Sequence, residues 1–346
     1  MKVNITKKVR VLVVDDSLLF REVIARGIAL DMGIEVVGTA GDAFEARDKI
    51  IELEPDVMTL DVEMPKMNGI EFLKRLMPQY PIPVVVVSAV SDNVFDALNA
   101  GAVDFVTKAN SVAGANKDVF INELIIKVKI ASMAKVGQPK RSILNERHIG
   151  KISSKSSNTI IAIGASTGGT QAILEVVKNF PKDMPGIIIT QHMPPVFTKM
   201  YADRLNNLCN MDAKEAETGD IVIPGRILIA PGDRHMELSK KGNNFYVECF
   251  TGDKVNGHCP SVDVLFNSVA EVCSNSIGII LTGMGYDGAK GLLKMKQRGS
   301  FTIGQDEQSS VVYGMPKVAY DMGGVTKQAS LKNIPQLVYS ILEDRK

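Results

Sequence analysis

The sequence predicts an α/β protein with two domains, each built around a doubly wound parallel sheet. Three observations support this prediction. Short apolar strands alternate with amphipathic helices along most of the chain, and a polar segment interrupts this alternation once. The length of 346 residues also exceeds what one ordinary hydrophobic core holds. We therefore expect domains at residues 9–130 and 159–346, with a linker at 131–158.

The first domain is predicted from five strand–helix units. Its strands are the apolar runs VRVLVVDD, EVVGTA, VMTLDVE, PIPVVVVSAV and VDFVTK. Its helices have apolar residues at helical spacing, in LLFREVIARGIALD, DAFEARDKIIELE, GIEFLKRLM, NVFDALNAG and VFINELIIKVKIASM. Ligands of such sheets bind at the carboxyl ends of the strands.

The linker is indicated by a change of composition. Residues 135–158 carry six Lys or Arg against one Glu, with Gly, Pro and a cluster of Ser. No aromatic residue interleaves with these charges, as single-strand nucleic-acid binding usually needs. We interpret the excess of basic residues as a property of a solvent-exposed hinge.

The second domain restarts the alternation at residue 159 and contains an antiparallel excursion. Its predicted parallel units are TIIAIGA with TQAILEVVKNF, GIIITQHM with VFTKMYADRLNNL, IGIILTGM with GAKGLLKMKQRG, and FTIGQD with NIPQLVYSILED. The excursion is predicted in DIVIPGRILIAPGDRHMELS and NNFYVECF, followed by the helix SVDVLFNSVAEVC.

Composition excludes several classes of protein. The net charge of +1 gives no overall field for nucleic acid or a membrane surface. The four cysteines form no C-x-x-C pair, which favours reduced thiols over a disulfide framework or a zinc site. No uncharged apolar stretch is long enough to span a bilayer. We expect a cytoplasmic protein without membrane insertion.

Charged side chains end several strands of the first domain. Asp15 and Asp16 end the first strand and Asp61 the third, whereas Ser88 and Lys108 end the fourth and fifth. Three carboxylates at one sheet edge repel one another unless a cation neutralises them, and oxygen ligands suit Mg²⁺. Charged and polar residues often end strands at solvent, but that explains all five at one edge poorly.

A second candidate site begins with the turn GASTG, residues 164–168. A G-x-S-x-G turn between strand and helix exposes a serine hydroxyl, here that of Ser166. Such glycine-rich turns also cradle phosphates or dinucleotides. A dinucleotide site predicts an acid after the next strand. That strand ends in Gln191 and His192 instead, which counts against a dinucleotide.

Two further strand ends supply partners for Ser166. His192 follows the strand predicted beside it, and Asp287 follows IGIILTGM. Each residue also has a purely structural interpretation: His192 as a buried core histidine, and Asp287 as the N-cap of a helix over 288–298. Together they predict a triad in which Ser166 attacks a carbonyl, His192 moves the proton and Asp287 orients the imidazole. His235 and His258 are alternative bases, ranked below His192.

The first half resembles the receiver domains of two-component response regulators, which have a flavodoxin-like fold. The matching stretches are VVDDS, LDVEMPKMNG, SA and TK. The resemblance implies that Asp61 accepts a phosphoryl group from a chemotaxis histidine kinase. It also implies a magnesium site formed by Asp15, Asp16, Asp61 and the Glu63 carbonyl. The same resemblance implies a phosphorylation switch formed by Ser88, Phe105 and Lys108.

The second half resembles the catalytic domain of chemotaxis protein-glutamate methylesterases, through IGASTGG, QHMPP, IAPGDRHM, CPSVDVLF and LTGMGYDG. The resemblance implies a Rossmann-like α/β hydrolytic domain without a cofactor, activated by phosphorylation of the receiver. It implies hydrolysis of glutamate 5-O-methyl esters, and deamidation of specific glutamines, on methyl-accepting chemotaxis receptors. The triad is then Ser166, His192 and Asp287, with Thr167 and Met284 on the oxyanion or substrate side.

Two other classes of function stay open from the residues alone. One is a response regulator whose second half is a non-catalytic output domain that binds DNA or a nucleotide. DNA binding predicts a basic recognition helix, and no helix after residue 159 has that pattern. The other is a scaffold protein with a degenerate active site. Only the presence of all three triad residues argues against it. We expect no nucleic-acid partner.

Overall fold

The computed structural model describes residues 7–88, 93–108, 115–137 and 159–344. These residues fall into two compact units, divided between residues 137 and 159. Most of the predicted linker, residues 138–158, lies outside the described residues. Each unit is considered by itself below.

The first unit contains a five-stranded parallel sheet in the order β2-β1-β3-β4-β5, which confirms the predicted doubly wound fold. The last helix of this unit begins at Ala115, four residues before the apolar stretch from which it was predicted. The prediction missed its first turn, ANKD, because that turn carries no helical apolar pattern. The elements are β1 (Val9–Val14), α1 (Leu18–Ile28), β2 (Ile34–Ala40), α2 (Ala43–Leu53), β3 (Val57–Asp61), α3 (Gly69–Leu76), β4 (Val84–Ser88), α4 (Asn93–Asn99), β5 (Asp104–Thr107) and α5 (Ala115–Ala131).

Local sequence explains where three of these helices start. Ser17, Asp42 and Asn68 are the N-caps of α1, α2 and α3, and each side chain accepts a hydrogen bond from a backbone N–H of the first turn. Such bonds satisfy donors that have no partner inside the helix. Strands β3 and β4 are buried along their whole length, as expected for a sheet covered on both faces.

The second unit contains a seven-stranded parallel sheet in the order β14-β13-β12-β6-β7-β9-β8. An antiparallel hairpin, β10–β11, stands apart from it. The elements are β6 (Ile160–Ala165), α6 (Gly169–Val177), β7 (Gly186–Gln191), α7 (Phe197–Leu208), β8 (Asp212–Glu215), β9 (Arg226–Ile229), β10 (His235–Lys241), β11 (Asn244–Phe250), α8 (Val262–Val272), β12 (Ser276–Ile280), α9 (Ala289–Gln297), β13 (Phe301–Gln305), α10 (Met315–Asp321), β14 (Lys327–Ala329) and α11 (Ile334–Asp344).

The antiparallel excursion is smaller than predicted. Strand β9 was expected to be antiparallel, but it pairs in parallel with β7 and β8 inside the main sheet. A four-residue apolar run carries no sign of strand direction. Strands β8 and β14 were not predicted because their sequences, DAKE and KQA, contain charged residues and no apolar pattern. Both are edge strands of the sheet, where charged side chains are common. Helix α10 was also missed, and it begins beside Pro316.

The core of the second unit lies between the sheet and helices α8 and α9. Phe266 of α8 is fully buried and fills the space above two glycines. A Cβ added to Gly164 would lie 3.2 Å from the Phe266 ring, and one added to Gly291 would lie 2.6 Å from its Cβ. The packing therefore fixes α8 against strand β6 and helix α9, the elements that border the candidate site.

The four cysteines are free thiols and form no disulfide. No helix among the described residues combines the length and the apolar character that crossing a membrane requires.

Phe266→Ala is expected to lower the free energy of unfolding of the second unit by about 3–5 kcal/mol, because it removes a buried ring and leaves a cavity. Urea unfolding followed by circular dichroism measures the change. Tyr320→Ala is the control, since this ring is 52% exposed. Equal, small effects of the two substitutions would contradict the described packing.

Candidate active site

Three neighbouring strands bring Ser166, His192 and Asp287 to one edge of the second sheet. Ser166 follows β6 and His192 follows β7, whereas Asp287 lies in the loop after β12. Backbone hydrogen bonds extend the strand pairing beyond the strand ends: the His192 N–H donates to the carbonyl of Ala165 at 3.2 Å, and the Ser166 N–H to that of Thr282 at 3.0 Å. All three residues therefore lie at the carboxyl edge, where ligands of such sheets bind.

The Ser166 turn depends on close backbone packing. Gly168 has a φ of 75°, which an L side chain rarely adopts. On the opposite side, a Cβ added to Gly283 would lie 2.7 Å from Ser166 Cβ and 3.0 Å from its nitrogen. The loop after β12 thus packs directly on the serine. Ser166 itself is half-buried and lies in the turn that precedes α6.

The carboxylate of Asp287 is the most heavily hydrogen-bonded group of the site. It is 1% exposed and accepts five hydrogen bonds. Three of them come from the N-terminus of α8, where the helix dipole favours a negative charge. The five donors are His192 Nε2 (2.8 Å), Val262 N (2.7 Å), Asn256 Nδ2 (2.8 Å), Ser261 Oγ (2.7 Å) and Asp263 N (3.2 Å).

These donors determine the charge of Asp287. Burial alone would raise the pKa of its carboxyl group, but the hydrogen bonds from His192, Asn256 and Ser261 outweigh burial and hold the pKa well below its usual range. Asp287 is therefore ionised. It is not the N-cap of α9, because Gly288 occupies that position and makes no side-chain cap. The structural interpretation of Asp287 as a helix N-cap is therefore wrong.

The two ring nitrogens of His192 are in different situations. Nε2 is bonded to Asp287, and Nδ1 is buried without a hydrogen-bond partner among the described residues. With Nε2 engaged, Nδ1 is the nitrogen that can accept a proton. The ring of His258 stacks on that of His192, with 3.7 Å between centroids and 10° between planes.

His235, the other alternative base, has no free nitrogen. It is 2% exposed, its Nε2 is 2.9 Å from the carbonyl oxygen of Asp253, and its Nδ1 accepts the N–H of Ser261 at 3.2 Å. Both contacts are satisfied by a neutral ring that donates from Nε2. His235 therefore holds Ser261, which in turn donates to Asp287.

One predicted oxyanion residue follows the serine, and the other follows the glycine that packs on the serine. Thr167 is 4% exposed, and its carbonyl accepts the hydroxyl of Thr282 at 3.1 Å. Met284 is 38% exposed and lies between Gly283, which packs on Ser166, and Gly285, whose φ is 89°. Their role at an oxyanion stays a prediction.

Sequence reasoning missed two amides of this site. The Gln191 side chain donates to the carbonyls of Ser166 at 3.0 Å and of His192 at 3.1 Å, and so ties the serine turn to the histidine. Asn256 donates to Asp287. The Asn-Gly dipeptide at 256–257 signals a tight turn, but it does not signal the contact of the Asn256 amide with Asp287.

The acidic cluster of the first unit forms as predicted at the ends of β1 and β3. Carboxylate oxygens of Asp15, Asp16 and Asp61 lie within 4.8 Å of one another. Lys108 Nζ is 3.0 Å from Asp15 Oδ2 and 2.5 Å from Asp61 Oδ2. Burial raises the pKa of both buried carboxyl groups, and Lys108 opposes this. One lysine thus serves two buried acids, which leaves anionic oxygens suited to a hard cation.

Two of the predicted switch residues, Ser88 and Lys108, lie at the same edge, and Phe105 lies within β5. Ser88 is buried, and its hydroxyl has no hydrogen-bond partner among the described residues. Phe105 is 6% exposed on β5. The N–H of Glu63 donates to Asp61 Oδ1 at 3.1 Å, which fixes the Glu63 backbone beside the acids.

Comparisons with known proteins match both units. The CheB methylesterase family matches residues 161–338, and the response regulator receiver domain matches residues 11–115. The protein-glutamate methylesterase/protein-glutamine glutaminase 2 of Syntrophomonas wolfei is 58% identical, over 97% of this chain and 98% of its own. The protein of the same name, without the numeral, from Escherichia coli K12 is 48% identical over 95% of each chain.

A solved structure agrees with these matches. The crystal structure of the Thermotoga maritima CheB methylesterase catalytic domain is 39% identical, with a TM-score of 0.52. It covers 54% of this chain and 99% of its own.

Gly283→Ala is expected to destabilise the second unit by about 1–3 kcal/mol, because the new methyl group would overlap Ser166 and the Met315 sulfur. Urea unfolding of the full chain measures this. Gly137→Ala is the matched control, since a Cβ there meets nothing within 4 Å. If the two substitutions change stability equally, the close packing of the 283 loop on Ser166 is wrong.

Proposed function

The chain belongs to the CheB methylesterase family, with a receiver domain before the methylesterase domain, and we propose that it demethylates glutamate 5-O-methyl esters of methyl-accepting chemotaxis receptors. It would also deamidate specific receptor glutamines, in keeping with the name of its relatives. The boundaries we propose are 9–130 for the receiver, 131–158 for the linker and 159–346 for the catalytic domain. The names of the relatives support this function over a non-catalytic output domain.

One observation carries the proposal: the 2.8 Å contact between His192 Nε2 and the buried, ionised Asp287, at the strand end beside Ser166. A carboxylate in this position holds the imidazole in one tautomer and stabilises its protonated form. The proton of Ser166 is then accepted at Nδ1. Contacts between nucleophile and base often tighten only when substrate is bound.

Hydrolysis proceeds in two steps on these residues. Ser166 Oγ attacks the ester carbonyl while His192 Nδ1 takes its proton. The tetrahedral intermediate collapses, His192 gives the proton to the leaving oxygen, and methanol departs, which leaves a glutamyl ester on Ser166. A water then attacks this ester with His192 as base, which releases the glutamate side chain and restores Ser166. With a glutamine substrate the leaving group is ammonia.

The oxyanion of each intermediate needs preorganised donors. We propose backbone amides near Thr167 and Met284 for this role, because Thr167 follows Ser166 and Met284 follows Gly283, which packs on Ser166. The start of α6 adds the positive end of a helix dipole.

The receiver would control the esterase through Asp61. We propose that Asp61 accepts a phosphoryl group from a chemotaxis histidine kinase. Asp15, Asp16, Asp61 and the Glu63 carbonyl would hold Mg²⁺, which when bound neutralises charge on the phosphoryl oxygens.

Three further residues would read out the phosphorylated state. Lys108 stands between the two buried acids and would pair with a phosphoryl oxygen. The buried Ser88 hydroxyl offers a hydrogen bond at the same edge, and Phe105 would change packing with it.

Ser166→Ala is expected to reduce methanol release at least ~10³-fold, because it removes the nucleophile and leaves only binding and oxyanion stabilisation. The assay measures methanol from a methylated cytoplasmic fragment of a chemotaxis receptor. Ser239→Ala, at a half-buried serine of β10, should keep full activity. Methanol release near the wild-type rate by Ser166→Ala would exclude the triad.

Asp61→Asn is expected to abolish activation, because the amide keeps the shape of the side chain but cannot accept a phosphoryl group. Methanol release is measured with and without a small phosphodonor and Mg²⁺. Asp48→Asn, at an exposed acid of α2, serves as control and should respond like wild type. Normal activation of Asp61→Asn would refute the phosphorylation site.

A further inference from the structure

The Asp287 carboxylate is held by a turn that no part of the proposed mechanism uses. Residues 255–258 form a two-residue hairpin turn, in which Val255 and His258 exchange two backbone hydrogen bonds of 3.0 Å. The central residues, Asn256 and Gly257, have φ values of 53° and 84°. Positive φ at both positions defines a type I′ turn, for which Asn-Gly is a preferred pair.

The side chain of Asn256 points from this turn to two buried carboxylates. Its Nδ2 lies 2.8 Å from Asp287 Oδ1 and 2.7 Å from Asp263 Oδ2. Asp287 and Asp263 are 1% and 3% exposed. A primary amide has two N–H donors, so one group satisfies an oxygen of each acid.

Asp263 turns this bridge into a link between elements. Its other oxygen, Oδ1, accepts the N–H of Gly291 in α9 at 2.7 Å. Burial raises the pKa of Asp263, and the negative charge of Asp287 adds to this. The two acids would repel each other without a donor between them, and Asn256 supplies that donor without adding a charge.

The same turn also contacts the imidazole. His258 stacks on the face of His192 at 3.7 Å. The turn therefore contacts both members of the Asp287–His192 pair, the carboxylate through Asn256 and the ring through His258.

We infer that Asn256 is a positioning residue of the triad: its amide fixes the Asp287 carboxylate in the orientation that accepts His192 Nε2. This inference rests on the proposed function. Asparagine suits the position in two ways, because it tolerates positive φ and carries the donor. Glycine or aspartate preserves the turn, but neither supplies the two N–H groups.

The test uses Asn256→Gly and Asn256→Asp in the full chain, assayed for methanol release from a methylated receptor fragment under one phosphodonor condition. Both variants retain a pair favoured in this turn, Gly-Gly or Asp-Gly. Loss of one hydrogen bond to a charged group predicts a fall in kcat of about 10- to 100-fold with KM nearly unchanged. Asn243→Gly, an exposed asparagine of the β10–β11 turn, should match wild type.

A double-mutant cycle separates positioning from other roles. If Asn256 acts through Asp287, then Asn256→Gly should change kcat by less than about 3-fold in an Asp287→Asn background. The same loss in both backgrounds, or a wild-type kcat for Asn256→Gly and Asn256→Asp, overturns the inference. Failure of the proposed function looks different, because the wild-type chain would then release no methanol, whereas failure of the triad alone would leave methanol release intact in Asp287→Asn.

Discussion

The structure of the catalytic unit depends on one buried negative charge. A carboxylate that is 1% exposed must be surrounded by donors, or it takes up a proton. Asp287 meets this requirement with the first N–H groups of α8, the Ser261 hydroxyl, the Asn256 amide and His192. The start of α8 and the turn at 255–258 are therefore both tied to Asp287.

Strand order and close packing bring the nucleophile to this charge. Because β12, β6 and β7 are adjacent, their following loops start within hydrogen-bonding distance of one another. Gly283 lets the loop after β12 rest on Ser166, and Gln191 joins the serine turn to His192. Backbone hydrogen bonds and close contacts at glycines thus hold most of the site in place. These contacts belong to the folded sheet and do not require a substrate.

Sequence reasoning predicted the strand ends well and the contacts between loops poorly. Ser166, His192 and Asp287 lie at one sheet edge as predicted, because parallel strands bring their carboxyl ends together, a rule that needs only strand identity. Asn256 was missed because its target lies 31 residues away, and no local pattern marks that pairing. Asp287 was weighed as a cap of the helix that follows it, whereas it binds α8, a helix earlier in the chain. Strand β8 was missed for a similar reason, since only its pairing with β9 makes DAKE a strand.

The most direct test of this account is the rate at which a serine-reactive phosphonate labels the full chain, followed by mass spectrometry of the peptides. The account predicts one adduct, on Ser166, whose rate of formation falls sharply in both His192→Gln and Asp287→Asn. An adduct on another residue, or an unchanged labelling rate at Ser166 in Asp287→Asn, would contradict the claim that the buried charge activates the serine through His192.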